Sequence, residues 1–240
     1  MKVSIIIPTL NEEQYIGHLL SSIQKQTYIP DEIFVIDGGS VDATKKIANS
    51  FKNVHFSTAK KPVGNQRTEG GKIATGDMLI FLDADVRLHE NFIESVLREM
   101  KNRSIDIACP TYVPYPGNTL INMIYKLFNT LFLFAQNYVP SGAGSCICVR
   151  KDLFRRIGGF DANMHFDDIV FIRKAGKLGK FGILSSAIYV SDRRFRKYGI
   201  LQTSLTYVLL SILFTFGLYR YANSIPYVFG AFNAFSKKKV

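Results

Sequence analysis

The apolar positions of the chain change their period in a regular way. Val3–Ile7 is an unbroken β-branched run and predicts a buried strand. Ile16, Leu19, Leu20 and Ile23 then recur at helical spacing, with Asn11 as the expected cap and Glu12 and Glu13 in the expected first turn. A second strand, Ile33–Ile36, ends at Asp37-Gly38-Gly39-Ser40, a turn whose glycines permit positive φ. The pattern continues with a helix over about 41–51, a short strand near Val54–Ser57, a helix over 65–74 and a strand at Met78–Leu82. Phe92, Val96 and Leu97 mark another helix, and Ile105–Cys109 another strand. Strands alternating with short helices predict βαβ units, hence a Rossmann-like, mostly parallel sheet with helices on both faces.

Beyond residue 110 the punctuation changes. Pro110, Pro114, Pro116 and Pro140 and several glycines make 111–199 less regular. Asn118–Val139 is nevertheless an amphipathic helix with a wide apolar face. That face suits packing on the domain core or contact with a membrane or lipid, and the pattern does not choose. Ile169–Leu178 also reads as a helix. Residues 199–219 hold no charged side chain, and 12 of the 19 residues in 200–218 are apolar. Arg193, Arg194, Arg196 and Lys197 precede this stretch, and Lys237, Lys238 and Lys239 follow it. Basic flanks on both sides place both in the cytosol. Residues 221–236 are uncharged but broken by Pro226 and Gly230. The expectation is a hydrophobic hairpin that dips into the bilayer or lies in its surface, ahead of a true span or a soluble core. The chain therefore divides into a domain over 1–195 and a basic, hydrophobic membrane-associating segment over 196–240.

Charge sharpens that division. Residues 1–150 carry 15 basic and 14 acidic groups, whereas 151–240 carry 15 and 5. The excess calls for an anionic partner at the C-terminal part. Apolar residues at 47% exclude disorder as the main state of the 240-residue chain. Cys109, Cys146 and Cys148 are too few for a disulfide framework or a zinc site, and read as buried thiols in a reducing compartment. Cys146 and Cys148, two apart, would share one face of a strand. The N-terminus has too short an apolar run for a signal peptide. The expected location is the cytoplasmic face of the cell membrane.

In sheets of this kind, ligands bind outside the carboxyl ends of the strands. Those ends carry Pro8-Thr9, Asp37-Gly38-Gly39 and Asp83-Ala84-Asp85. Two carboxylates two apart on a turning chain suit one hard cation, Mg²⁺ or Mn²⁺, completed by substrate phosphates.

With these residues in view, the chain resembles the family 2 glycosyltransferases, inverting enzymes with the GT-A fold. The resemblance rests on Ile5-Ile6-Ile7-Pro8-Thr9-Leu10-Asn11-Glu12, Val35-Ile36-Asp37-Gly38-Gly39-Ser40, Gly64, Arg67 and Gly76-Asp77. It continues through Phe81-Leu82-Asp83-Ala84-Asp85, Gly142-Ala143-Gly144, Ile157-Gly158-Gly159-Phe160-Asp161 and Phe166-Asp167-Asp168, covering about 1–195. It implies a nucleotide-diphosphate sugar donor, UDP-sugar favoured. Pro8, Thr9, Glu12, Asp37, Gly39, Arg67, Asp83 and Ala84 would bind it, with Asp37 facing the base and Asp83 the ribose. Asp85 would hold the metal. Asp168 would be the general base, with Asp167 a lesser candidate, and Gly142, Ala143, Gly144 and His165 would form the acceptor region.

Two departures from the family pattern carry information. Where many relatives have a metal-binding histidine, this chain has Val190-Ser191-Asp192-Arg193-Arg194. Asp192 is the candidate ligand there, with Arg193 and Arg194 as direct partners of the diphosphate. The Gln-x-x-Arg-Trp motif of processive synthases is absent, and the chain has no Trp, so transfer of a single sugar is expected. The expected acceptor is a lipid or lipid-linked hydroxyl. Two other readings compete. A sugar nucleotidyltransferase would need a Gly-rich basic loop after the first strand, where this chain has Pro8-Thr9-Leu10-Asn11-Glu12. A non-catalytic nucleotide-binding membrane-surface protein would not need Asp37, Asp83, Asp85 and Asp168 intact. Nucleic acid is not an expected partner, because no reading motif accompanies the basic residues.

Overall fold

The computed structural model describes residues 1–225. In chain order the elements are β1 (Val3–Thr9), α1 (Ile16–Gln24), β2 (Glu32–Asp37), α2 (Thr44–Asn49), β3 (Val54–Thr58), α3 (Val63–Ile73), β4 (Met78–Leu82), β5 (Val86–Leu88) and α4 (Phe92–Asn102). They continue with β6 (Ile107–Tyr115), α5 (Thr119–Ala135), β7 (Cys146–Arg150), α6 (Lys151–Ile157), α7 (Asp167–Leu178), β8 (Phe181–Ser191), α8 (Arg193–Tyr198), α9 (Ile200–Thr215) and α10 (Tyr219–Ser224).

The strands form one sheet in the order β3-β2-β1-β4-β7-β6-β8-β5. β1 pairs parallel with β2 and β4, β2 with β3, and β6 with β8. β7 runs antiparallel to both β4 and β6, and β5 antiparallel to β8. Six strands therefore point one way, as the alternation predicts. The continuous apolar runs become central strands, with every residue of β1 and β4 buried. Period-two alternation splits them between two cores. Ile5, Ile7, Ile80 and Leu82 face α1 and α4, while Ile6, Leu79 and Phe81 face α6 and α7. Ile16, Leu19, Leu20 and Ile23 of α1 are fully buried, each stabilising by roughly 1.5–3 kcal/mol.

Close packing of α3 on the sheet depends on glycine. A Cβ at Gly70 would lie 2.4 Å from Ile6, and one at Gly71 2.3 Å from the Phe154 ring. Without side chains there, α3 lies low over the sheet and its Arg67 reaches the strand ends.

Several local expectations are corrected. Asn11 does not cap α1, which starts at Ile16 without a side-chain cap. It has positive φ instead, and ties the β1 loop to the β2 turn by accepting from Val41 N–H and donating its own N–H to Ser40 Oγ. The helix expected over 41–51 is only α2, because Asp42 accepts from Thr44 N–H and so closes a turn first. The stretch 111–199 is far more regular than its prolines imply. β6 runs to Tyr115 past an irregularity at Pro110, a site where a strand tolerates proline. Asn118 does cap α5, its side chain accepting from Ile121 N–H. Cys146 and Cys148 share a strand face, with Sγ atoms 3.8 Å apart, both buried and unbridged.

The expected boundary at 195/196 falls inside α8. Phe195 packs against Tyr125 and Tyr207 at 5.9 and 6.0 Å, and Phe128 meets Tyr207 at 6.1 Å, fastening α5, α8 and α9 together. Phe166, Leu210, Phe214 and Ala222 form a third small core. Arg173 of α7 donates to the Phe214 carbonyl and to the Tyr219 hydroxyl. Among the described residues no helix is long and apolar enough to cross a membrane. The second limb of the expected hairpin and the terminal lysines lie largely outside the described residues.

Candidate active site

The carboxyl ends of the parallel strands meet at one rim. β1 brings Pro8 and Thr9, β4 brings Asp83-Ala84-Asp85, and β8 brings Asp192-Arg193-Arg194. Because β7 runs against β4, the loop before it starts at the same rim, where Asp83 N–H donates to the Ser145 carbonyl at 3.1 Å. The N-terminus of α7 adds Asp167 and Asp168. All of these except Asp167 and Asp192 border a cavity of about 850 Å³ that also reaches α5 and α9.

Arg67 is the hub. Its buried guanidinium holds both oxygens of Asp167 at 3.0 and 2.9 Å, and Asp83 Oδ1 at 2.8 Å. Its ring contact is the Phe160 face, at 5.5 Å. Asp167 is 1% exposed and does not border the cavity. Burial pushes its pKa up to about 6, against the pull of Arg67. Asp167 thus positions Arg67, while its neighbour faces the cavity.

Asp168 has the arrangement of a base. Its Oδ2 accepts from Gly144 N–H at 2.7 Å, which fixes the carboxylate. Its Oδ1 is buried without a hydrogen-bond partner. Burial raises its pKa, with Arg67 opposing. A raised carboxyl pKa brings a general base nearer its working range. The loop that carries Gly144 is pinned by Tyr112, whose hydroxyl accepts from Ala143 N–H at 2.9 Å and donates to its carbonyl at 3.1 Å.

Asp85 faces the other arginine. Arg193 Nε lies 2.9 Å from Asp85 Oδ2, and its terminal nitrogens hold both oxygens of Glu12 at 2.8 and 3.1 Å. The guanidinium also lies over the Tyr15 ring at 4.9 Å. Burial raises the pKa of Asp85 and pushes Glu12 up to about 7. Among the described residues no three His, Cys, Asp or Glu side chains converge as a ready-made metal site. The donor chemistry at Asp85 still suits a hard divalent ion, since its carboxylate already holds a positive charge. The ion would take Arg193's place there and draw further oxygen ligands from a bound diphosphate.

Not every expected residue converges. Thr9, Pro8, Glu12, Arg67, Asp83, Ala84, Asp85, Asp168, Arg193, Arg194, Gly142, Ala143, Gly144 and His165 border the cavity. Asp37 does not. Its carboxylate is closed into the turn by Thr9 Oγ1, Ser40 Oγ and the N–H groups of Gly39 and Ser40. Gly39 is exposed, with φ 92°. Asp192 accepts from Gly117 N–H and pairs with Arg196 at 2.7 Å, so its side chain braces the loop after β6. Tyr112, Gln66 and Arg173 border the cavity without having been singled out in the sequence. Only the five-residue spacing of Arg173 from Asp168 on one helix offered a signal.

The sheet order and its rim of carboxylates and arginines are those of a GT-A-like architecture, and comparison with known proteins agrees. Residues 4–158 match the model described as glycosyl transferase family 2. The chain is 23% identical over 182 residues to the glucosyl-dolichyl phosphate glucuronosyltransferase of Haloferax volcanii, covering 68% of this chain and 57% of that protein. It is 23% identical over 231 residues to the cholesterol galactosyltransferase of Borreliella burgdorferi, covering 85% and 63%. It thus spans less than two thirds of either relative. Among solved structures, S. aureus TarS 1–349 in complex with UDP superposes with a TM-score of 0.66 at 24% identity, covering 80% of this chain and 60% of that one. The mannosyltransferase PcManGT from Pyrobaculum calidifontis, in complex with GDP-Man and Mn²⁺, gives 0.64 at 20%, covering 78% and 56%. This chain belongs to glycosyltransferase family 2. That membership argues against the sugar nucleotidyltransferase reading.

Proposed function

We propose that the protein is an inverting glycosyltransferase that moves one sugar from a nucleotide-diphosphate sugar, a UDP-sugar by preference, to a hydroxyl of a lipid or lipid-linked acceptor. It would work at the cytoplasmic face of a membrane. The observation that carries the mechanism is Asp168, with one oxygen anchored by Gly144 N–H and the other buried, unpartnered, at the cavity. Asp168 takes the proton of the acceptor hydroxyl as that oxygen attacks the anomeric carbon. The anomeric bond to the diphosphate breaks in the same displacement, the leaving nucleoside diphosphate keeps the electron pair, and the anomeric centre inverts. No enzyme nucleophile is needed. Arg193 and Arg194 face the developing charge. Mn²⁺ or Mg²⁺ held by Asp85 would supply further positive charge to the diphosphate. Relatives named for dolichyl phosphate and cholesterol acceptors support the lipid reading. So does a neighbour solved with UDP-GlcNAc for the donor.

The test compares Asp168→Asn with Asp167→Asn, using radiolabelled nucleotide sugars and membrane lipid extract, with NMR of the product's anomeric centre. Asp168→Asn should lower transfer by about 10²–10⁴-fold with nucleotide binding kept. Wild-type turnover in Asp168→Asn, or retention of configuration, would remove the assignment.

A further inference from the structure

The cavity is not closed by polar surface on the side away from the strands. Leu131 of α5, Val208 and Ile212 of α9, and Phe216 all border it, yet are 51, 47, 49 and 74% exposed. They mark a mouth. From the mouth outward the same helices carry exposed apolar stripes. On α5 these are Leu120, Met123, Leu127, Leu131 and Phe134, and on α9 Leu201, Leu205, Leu209 and Ile212, continued by Phe216 just past its end. Both sets step by three or four residues, so each forms one helix face. Scattered exposed leucines need no explanation, but two adjoining stripes that meet at a cavity mouth do.

Three polar residues of α9 do not oppose an apolar neighbour. Thr206, Ser211 and Thr215 each donate their hydroxyl to the carbonyl four residues back, at 2.8 Å. Folded back in this way, they ask nothing of the surroundings. The charge around the stripes has one sign. Between Asp106 and Arg150 the sole charged residue is Lys126, and from Arg193 to the end of the chain every charged residue is basic. Lys126, Arg196, Lys197 and Arg220 are exposed.

We infer that α5 and α9 form a side entrance for one hydrocarbon chain of the acceptor, which passes from an anionic bilayer through the Leu131–Ile212 mouth toward Asp168. This rests on the transferase reading above and adds the route and the face on which the enzyme sits. A cationic rim around an apolar patch matches anionic headgroups above an acyl layer, and excludes an acidic protein groove less well than it fits lipid. An apolar groove reaching the base also admits an acceptor too insoluble to arrive through water.

The absence of tryptophan makes the test clean. Single reporters Leu127→Trp, Leu205→Trp and Ile212→Trp are compared with Val41→Trp, a position 92% exposed in the turn after β2 and on neither helix. The probe is a phosphatidylcholine and phosphatidylglycerol vesicle with dibrominated acyl chains. The three helix reporters should lose most of their emission and Val41→Trp should keep it. Lys197→Ala with Arg220→Ala should weaken vesicle partition roughly thirtyfold, at about 1 kcal/mol per charge. Equal quenching at all four positions, or none, overturns the inference. So does concentration-dependent doubling of mass without vesicle binding, which gives the face to a second copy. Thermal shift of the unmodified protein with nucleoside diphosphates is read in parallel. A nucleotide shift without quenching removes the entrance and leaves the transferase reading. Quenching without a nucleotide shift removes the donor assignment instead.

Discussion

Replacing Arg67 by alanine isolates the hub of the site. Arg67 and Asp167 have side chains 5% and 1% exposed, and share two hydrogen bonds. Removing one partner of such a buried pair leaves a desolvated charge, at a cost of about 3–5 kcal/mol. For a chain of this size each kcal/mol lowers Tm by roughly 2–4 °C, so a fall of roughly 6–20 °C is expected. The loss resides chiefly in the stranded Asp167. Adding Asp167→Asn to Arg67→Ala should therefore restore a large part of the stability, measured by urea unfolding of all four proteins as a double-mutant cycle. Turnover should not return with it, because Asp83 and Asp168 would still lack Arg67. Arg67 also opposes the burial that raises the Asp168 pKa. Without it the base holds its proton to higher pH, and the acidic limb of the rate profile moves to alkaline values. A loss below about 1 kcal/mol for Arg67→Ala, or a double variant less stable than the single one, would refute the reasoning.

Three further outcomes follow from the same geometry. Gly144→Ala places a Cβ 2.5 Å from Asp168 Oδ2 and 2.9 Å from Arg67, so it should cost about 1–3 kcal/mol and displace the base. Its kcat should fall while nucleotide still stabilises the fold, and unchanged turnover would contradict the role of the Gly144 anchor. Burial raises the Glu12 pKa from 4.5 to about 7, so the folded state binds its proton more tightly than the unfolded one. Stability from this group is full below about pH 4.5 and declines as pH rises toward 7, by about 3 kcal/mol; Glu12→Gln should flatten that decline in unfolding curves between pH 5 and 8. Arg193→Ala should increase Mn²⁺ binding to the ligand-free protein, read by electron paramagnetic resonance, because Asp85 loses its counter-cation at 2.9 Å. In the unaltered chain Mn²⁺ should bind well only with a nucleoside diphosphate, and equal binding by both proteins without nucleotide would contradict that exchange.

The periodicity was enough to read the parallel half of the sheet. Val3–Ile7 and Met78–Leu82 are continuous apolar runs, and only a strand covered on both faces needs them. The strand ends then named the rim, and with it Thr9, Asp83 and Asp85. Less legible was 111–199. β6 and β8 are long and partly exposed strands, and prolines at an irregularity look like loop in one dimension. Asn11 misled because its short polar side chain serves equally well as a cap or in a positive-φ turn, and the choice was made by Ser40 and Val41, 29 and 30 residues away.

Residue types and their order determined the class of chemistry by themselves. Carboxylates at strand ends, a carboxylate pair before a helix and glycines where chains approach are properties of local sequence. The different surroundings of the two adjacent carboxylates were decided only in three dimensions. Asp167 and Asp168 are adjacent and chemically identical, and differ because Arg67, a hundred residues away, closes on both oxygens of one while Gly144 holds a single oxygen of the other. The same holds for Asp37, consumed by its own turn, and for Arg193, brought by β8 between Glu12 and Asp85. A side chain's type sets what it can do, whereas its partners and its burial set its charge, its free lone pairs and therefore what it does.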